Sequence, residues 1–301
     1  MAVLIAGPTA SGKSALASFL ANRLDGVIIN GDAMQVYRDL RILTARPSPE
    51  EEIALPHALY GHVDAAAPYS VARWLEDARA AIDAAHADGR LPIFVGGTGL
   101  YLSALKDGLS AVPPIPADIR EKWRERQRVE PADALHAELR RTDPQMAERL
   151  APSDRQRIVR ALEVAEGTGR SLAEWHHERE PGPMADAKAV RVVLAPPRML
   201  LRDKIAERFE GMFEAGAVDE ARALVDRGLA PSTPALKAIG VEALSAFSAG
   251  RLSRSDAITQ AVTETRQYAK RQETWFRHRF KAWPRAETVS DASELVLSEM
   301  S

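Results

Sequence analysis

The chain has 301 residues, 46% of them hydrophobic and 27% charged, with a formal net charge of −2. That length suits one large α/β domain or a core with a smaller insert, and the near-neutral balance means that a nucleic acid must be held by a local basic face rather than by overall charge. With no cysteine, disulfides, thiol catalysis and thiolate metal sites are excluded.

The apolar run Met1–Ala6 is too short, and lacks the basic flank, for a signal peptide. No stretch approaches the ~20 apolar residues of a membrane span. A cytoplasmic address without membrane contact is expected. The seven His are scattered, and the adjacent pair His176–His177 is poorly spaced for two ligands on one helix face, so they read as surface or core histidines.

In chain order, Val3–Ala6 reads as a buried parallel strand entering a Gly-rich turn, followed by a helix from Lys13 to about Leu24. Gly26–Asn30 is a second strand, ending at Gly31-Asp32. Ser70 caps a helix running to about Asp88, with Ala72, Leu75, Ala78, Ala81, Ile82 and Ala85 as its apolar stripe. Leu91–Val95 is a further strand, ending in Gly96-Gly97-Thr98-Gly99, and a helix from Leu100 to about Lys106 follows. This alternation predicts an open parallel sheet with helices on both faces.

The prolines at 113, 114 and 116 break the pattern. From Asp118 to about Trp175 the text is helical and charge-rich, with no strand candidate; Ser153-Asp154-Arg155-Gln156 has capping-box spacing, opening a helix that runs to Glu166 and closes at Gly167–Gly169. Residues 180–187 read as a loop, Val190–Ala195 as a strand returning to the sheet, and Met199–Ala282 as mostly helical. The domains expected are a core of residues 1–114 and 188–301 and a helical insert of residues 115–187.

Four features carry chemistry. Gly7-Pro8-Thr9-Ala10-Ser11-Gly12-Lys13-Ser14 matches G-x-x-x-x-G-K-[ST] between a strand and a helix. Such a loop turns backbone N–H groups onto phosphate oxygens at a helix N-terminus, Lys13 reaches the terminal phosphate, and the Ser14 hydroxyl can ligate Mg²⁺. Asp32 and Thr98 stand at strand ends, where the ligand crevice of a parallel sheet lies. There they serve as a proton acceptor and a hydrogen-bonding group, or as ordinary cap and turn residues. Arg266 to Lys281 is basic and aromatic, suited to RNA phosphates and unstacked bases or to a solvated helix face over an aromatic core. Arg157 and Arg160, three apart, share a second basic face.

Together the phosphate loop, Gly31-Asp32-Ala33-Met34-Gln35-Val36-Tyr37, Thr44-Ala45-Arg46-Pro47, Val95-Gly96-Gly97-Thr98-Gly99-Leu100-Tyr101, Asp154–Glu163 and Lys270–Arg277 resemble the tRNA dimethylallyltransferase family in its bacterial form, over nearly the whole chain. The resemblance implies a P-loop NTPase-like α/β fold, a parallel sheet flanked by helices, with an all-helical insert that clasps the anticodon stem-loop. It implies transfer of a dimethylallyl group from dimethylallyl diphosphate to the exocyclic N6 of the adenine 3′ of the anticodon. On that basis Gly7 to Ser14 and Arg208 hold the diphosphate, Ser14 binds Mg²⁺, and Asp32 is the general base assisted by Thr98. The tRNA contacts implied are Asp32, Ala33, Met34, Gln35, Thr98, Arg120, Gln156, Arg157, Ile158, Val159, Arg160, Lys237, Lys270, Arg271, Gln272 and Arg277. Two departures stand out: Val241-Glu242 replaces a Tyr-Arg frequent in relatives, and the absence of cysteine excludes the C-terminal zinc finger of some eukaryotic forms.

Three other readings share the loop. A small-molecule kinase would use it for ATP, but Leu91–Val95 ends in Gly-Gly-Thr-Gly rather than in the acid such enzymes carry. A prenyltransferase of free adenine nucleotides would need neither insert nor basic stretch. An RNA-binding protein with a vestigial loop would not need Lys13, Ser14, Asp32 and Thr98 intact. No dimer signal is visible, so a monomer is expected.

Overall fold

Strand β1 (Ala2–Ala6) is buried along its whole length, as its unbroken apolar run requires. Helix α1 (Lys13–Leu24) follows, then β2 (Gly26–Asn30), α2 (Pro49–Ala54), β3 (His57–Ala58), α3 (Val71–Ala87), β4 (Leu91–Gly96) and α4 (Gly99–Asp107). After the insert the core resumes with β5 (Ala189–Leu194), α5 (Arg198–Glu214), α6 (Ala217–Asp226), α7 (Val241–Ser248), α8 (Arg254–Arg279), β6 (Arg285–Ala286) and α9 (Val289–Met300). The computed structural model describes residues 1–300.

The six strands form one sheet in the order β3-β2-β4-β1-β5-β6, every pair parallel. Alternation along β1 sorts its side chains between two cores. Leu4 joins Ile29, Phe94 and Val193 on the face covered by α3 and α4, while Val3 and Ile5 join Ile28, Ile93 and Val192 on the face covered by α1 and α9. Each large apolar side chain buried in this way contributes about 1.5–3 kcal/mol. Helices α5 to α8 build a further cluster around Ile205, Phe209, Leu244 and Ala261.

The chain divides into two compact units, residues 1–106 with 183–300 and, apart from them, Asp107–Gly182. The second unit packs Trp123, Leu135, Leu139, Ile158 and Leu162 around its own centre. Its limits lie several residues ahead of 115 and 187, because Leu109–Ser110 pair antiparallel with Arg179–Glu180 and close it with a short ribbon.

Several local expectations are corrected. The stripe of α3 is Trp74, Ala78, Ile82 and Ala85, and Ala72 is exposed. The Trp74 ring enters the core, stacks on Tyr101 at 4.4 Å and donates its N–H to Asn30 O at 3.0 Å. Ser153 caps nothing. Asp154 is the N-cap of the helix Arg155–Thr168, its carboxylate accepting from Arg157 N–H. The capping box belongs to Ser48 and Glu51 at the start of α2, where each side chain takes the other's backbone N–H at 3.2 and 2.8 Å. Residues 180–187 begin with the second strand of the ribbon rather than with a loop.

Candidate active site

The carboxyl ends of three adjacent strands carry the chemistry. Strand β1 runs into Gly7–Ser14, β2 into Gly31-Asp32, and β4 into Gly97-Thr98. The order β2-β4-β1 puts the Asp32 turn and the phosphate loop on either side of the Thr98 turn. The β2 and β4 ends are locked together. Gly31 N–H donates to Val95 O at 2.8 Å, and a Cβ on Gly96 would stand 2.1 Å from Gly31 O. A side chain at 96 would force the two strand ends apart.

In the phosphate loop, a Cβ at Gly7 would meet Ser11 Oγ at 2.7 Å and Leu194 O at 2.8 Å, and Gly12 takes the left-handed φ of 95° that turns the chain into α1. The first turn of α1 has N–H groups with no partner inside the helix. Half-buried Lys13 rests with Nζ 3.4 Å from Pro8 O, and Ser14 is exposed. Arg208, from α5, donates to Thr9 Oγ1. Ala10, Gly12, Lys13, Ser14, Lys204, Glu207 and Arg208 line a cleft of about 480 Å³. Burial pushes the Lys13 ammonium down to about 8; Asp32 opposes the fall and Arg208 adds to it. Burial also lowers Arg208, against the pull of Asp32. The cleft therefore sets three cations against the single carboxylate of Glu207, an excess of positive charge that suits an anion.

The second half-site is built around Asn30, which is fully buried. Its amide donates to Asp32 O at 2.9 Å and Leu59 O at 3.0 Å, and its oxygen accepts Asp32 N–H at 2.8 Å. This side-chain turn aims Asp32. Asp32 Oδ1 accepts Met34 N–H at 2.9 Å, and Thr98 Oγ1 accepts Ala33 N–H at 3.0 Å. Carboxylate and hydroxyl are thus held against one turn, with Ala33 and Met34 half-buried beneath. Tyr268 stands nearby, and burial, followed by the Asp32 charge, drives its pKa up. A carboxylate held in this way at a strand end can serve as a proton acceptor.

The remaining sequence-derived residues separate into those that are accessible and those that are not. Lys237, Lys270, Arg271 and Arg277 are exposed on the core unit. Arg120, Gln156, Arg157 and Arg160 are exposed on the insert, where Arg157 pairs with Asp154 and Arg160 with Glu163. Ile158 and Val159, by contrast, are 0% and 4% exposed and belong to the insert's core; their side chains do not reach a ligand. Gln272 is 5% exposed and spent inside the protein. Gln35 gives both amide hydrogens to Thr44 O and Ala45 O, which leaves its oxygen as its free end.

Asn30 and Tyr268, near Asp32, and Glu220, beneath the loop at 41–43, are residues that the sequence alone does not single out. An Asn before Gly-Asp at a strand end is a side-chain-turn signal for the first. Tyr268 stands unmarked within the basic stretch. Glu220 accepts the N–H groups of Arg41, Ile42 and Leu43 at 2.7–2.8 Å from α6, across a long sequence separation that leaves no local mark. Among the described residues no group of three or more His, Asp or Glu is placed to hold a metal, and no helix is long and apolar enough to cross a membrane.

The chain is similar to known proteins along most of its length. The IPP transferase family model matches residues 35–279, and the isopentenyl transferase model matches residues 1–56. A tRNA dimethylallyltransferase of Azorhizobium caulinodans is 56% identical over 285 residues, 95% of this chain and 91% of that protein. The crystal structure of a tRNA isopentenylpyrophosphate transferase from Bacillus halodurans superposes with a TM-score of 0.69 at 33% identity, covering 98% and 95% of the two chains. A eukaryotic dimethylallyltransferase acting on tRNA gives a TM-score of 0.77 at 30% identity, over 91% of this chain and 69% of that one.

Proposed function

The chain belongs to the IPP transferase family and transfers a dimethylallyl group to tRNA, and we propose that its donor is dimethylallyl diphosphate, its acceptor the N6 amine of the adenine 3′ of the anticodon, and its by-product diphosphate. One observation carries this reading: a cation-rich phosphate loop at the end of β1 and a carboxylate–hydroxyl pair at the ends of β2 and β4 stand at the same carboxyl end of the sheet. Interstrand spacing puts the β1 and β2 ends about 10 Å apart, a gap that a diphosphate bearing a five-carbon chain spans.

On this reading Asp32 accepts the amine proton as the new C–N bond forms, since the lone pair of an adenine amine is delocalised and a poor nucleophile. Thr98 orients the amine. The charge that develops on the departing diphosphate meets the first-turn N–H groups of α1, Lys13 and Arg208. Ser11 Oγ, buried without a protein partner, gains one when a phosphate oxygen fills the loop. The donor set fits a Mg²⁺ ion held through the substrate: Ser14 supplies one hydroxyl, and such an ion keeps its waters and takes phosphate oxygens. Bound there, it would add positive charge beside the leaving group. The adenine has to leave its stack to reach Asp32.

Incubating the protein with dimethylallyl diphosphate, Mg²⁺ and unmodified tRNA, then weighing the nucleosides of the digested RNA, tests this. Adenosine heavier by one isopentenyl group, not formed when free AMP replaces the tRNA, is expected. Consumption of ATP with no change in the RNA would replace the reading with a kinase.

The exposed cations of α8 are proposed as part of the tRNA footprint, together with Arg120, Gln156, Arg157 and Arg160 of the insert. Removing Lys270 and Arg271 together should weaken tRNA binding and flatten the plot of log K against log salt by about 0.7–0.9 for each phosphate that is no longer neutralised. A titration series in KCl measures this, and an unchanged slope would mean that these side chains face solvent in the complex.

A further inference from the structure

Helix α8 has two faces. Lys270, Arg271 and Arg277 point to solvent, whereas Ala269, Gln272 and Phe276 are buried on an i, i+3, i+7 stripe. Gln272 is the polar member of that stripe. Its Oε1 accepts the N–H of Thr9 at 2.9 Å, and its Nε2 donates to the carbonyl of Gly97 at 3.0 Å. Thr9 belongs to the phosphate loop, and Gly97 precedes Thr98 in the second half-site.

Sterics agree. A Cβ on Gly97 would stand 2.1 Å from Gln272 Nε2 and 3.2 Å from Asp32 Oδ2, and one on Gly99 would stand 2.2 Å from the Trp275 ring. The helix lies directly on the backbone of the turn, and the two glycines leave room for it. An amide is also the group this position needs. It offers an acceptor at one end and a donor at the other, it carries no charge, and when buried it is costly to leave unpaired. Because Thr9 N–H is taken by Gln272, the diphosphate is left to the donors further along the loop.

We propose that Gln272 is a positioning residue rather than an RNA contact: it ties the phosphate loop to the Gly97–Thr98 turn and so sets the separation between the leaving group and the Asp32–Thr98 pair. This rests on the reading that the loop holds the diphosphate and that the pair receives the amine. The basic face that meets RNA is then one helix thickness from the residue that aligns the donor.

Gln272→Met keeps the volume and removes both bonds. Measured at saturating tRNA, its KM for dimethylallyl diphosphate should rise about 10-fold or more, as expected for a buried hydrogen-bonding pair left unmet, with a lower kcat. Its Kd for tRNA and the salt slope of that Kd should stay at the wild-type values, which also shows that the variant is folded. Weakened tRNA binding, a flatter salt slope or an unchanged KM would each overturn the proposal. If Gln272→Met does not fold, Gln272→Glu, which keeps the acceptor for Thr9 N–H and loses the donor for Gly97 O, is judged by the same two measurements. Calorimetric binding of inorganic diphosphate separates the two levels: weaker binding in the variant, alongside a wild-type protein that leaves tRNA unmodified, would sink the prenyl-transfer reading and leave standing only the bracing of the phosphate loop by Gln272.

Discussion

Asp32→Ala is expected to lower turnover about 100-fold or more, the usual scale for removing a positioned general base, while tRNA binding is kept. The carboxylate is placed by groups that do not depend on it: Asn30 is held by Leu59 O as well as by the Asp32 backbone, and Thr98 is held by Ala33 N–H. Truncation therefore removes the base and its bond to Met34 N–H, and leaves the turn held by Asn30 and Thr98. Single-turnover transfer with tRNA in excess measures the chemical step, and a gel-shift titration measures binding. Near-wild-type turnover would remove Asp32 from the mechanism. Loss of binding in step with turnover would make it an RNA contact instead.

Lys13→Ala is the second large effect, with a fall in kcat of about 100- to 1000-fold, as for other single groups that meet developing negative charge. The lysine also sets a pH limb. In the free protein its pKa lies near 8, so kcat/KM for the diphosphate should fall above pH about 8 as the ammonium is lost. The alkaline limb of kcat should lie higher, because bound diphosphate holds the proton on. Lys13→Arg, charged throughout, should lack the limb in kcat/KM. The same shift has a stability consequence. Between about 8 and 10.5 the unfolded chain binds more protons at this residue than the folded one, so this contribution makes the fold more stable as pH rises through that window. Below it the buried charge is a cost, and Lys13→Met should unfold at no lower temperature than wild type at neutral pH. An alkaline limb at the same pH in Lys13→Arg would assign the titration to another group.

Most of the sheet is legible in the chain because its signals are local. The runs Val3–Ala6, Gly26–Asn30 and Leu91–Val95 are short, apolar and ended by glycine, and α1 spans Lys13–Leu24 as its flanking glycines suggest. The short edge strands β3 and β6 have two residues each and no periodicity to show. Helix α9, which closes one face of the sheet, is not announced by its sequence, although Ala292 and Val296 are buried in that core. In the site, groups that act through their own position, such as Lys13, Asp32 and Thr98, stand at strand ends and are visible. Groups that act by reaching another segment are hidden, because a carboxylate such as Glu220 or an amide such as Gln272 looks in sequence like any surface polar residue. Gln272 does leave one trace. It occupies the buried phase of α8, where an uncharged polar residue needs partners at both ends of its amide.

The placement of β1 has a consequence for the order in which the protein is made. Strand β1, made before the other strands of this sheet, lies in its middle, between β4 and β5, and β5 follows only after the whole insert. The parts that finish the proposed diphosphate half-site come later still, with Arg208 on α5 and Gln272 on α8. A nascent chain therefore exposes its phosphate loop early but lacks the cation and the amide that complete it until α8 has emerged. Such long-range pairings fold slowly, so the insert, whose core is built within Asp107–Gly182, can be formed while the sheet still waits for its middle strand to be enclosed.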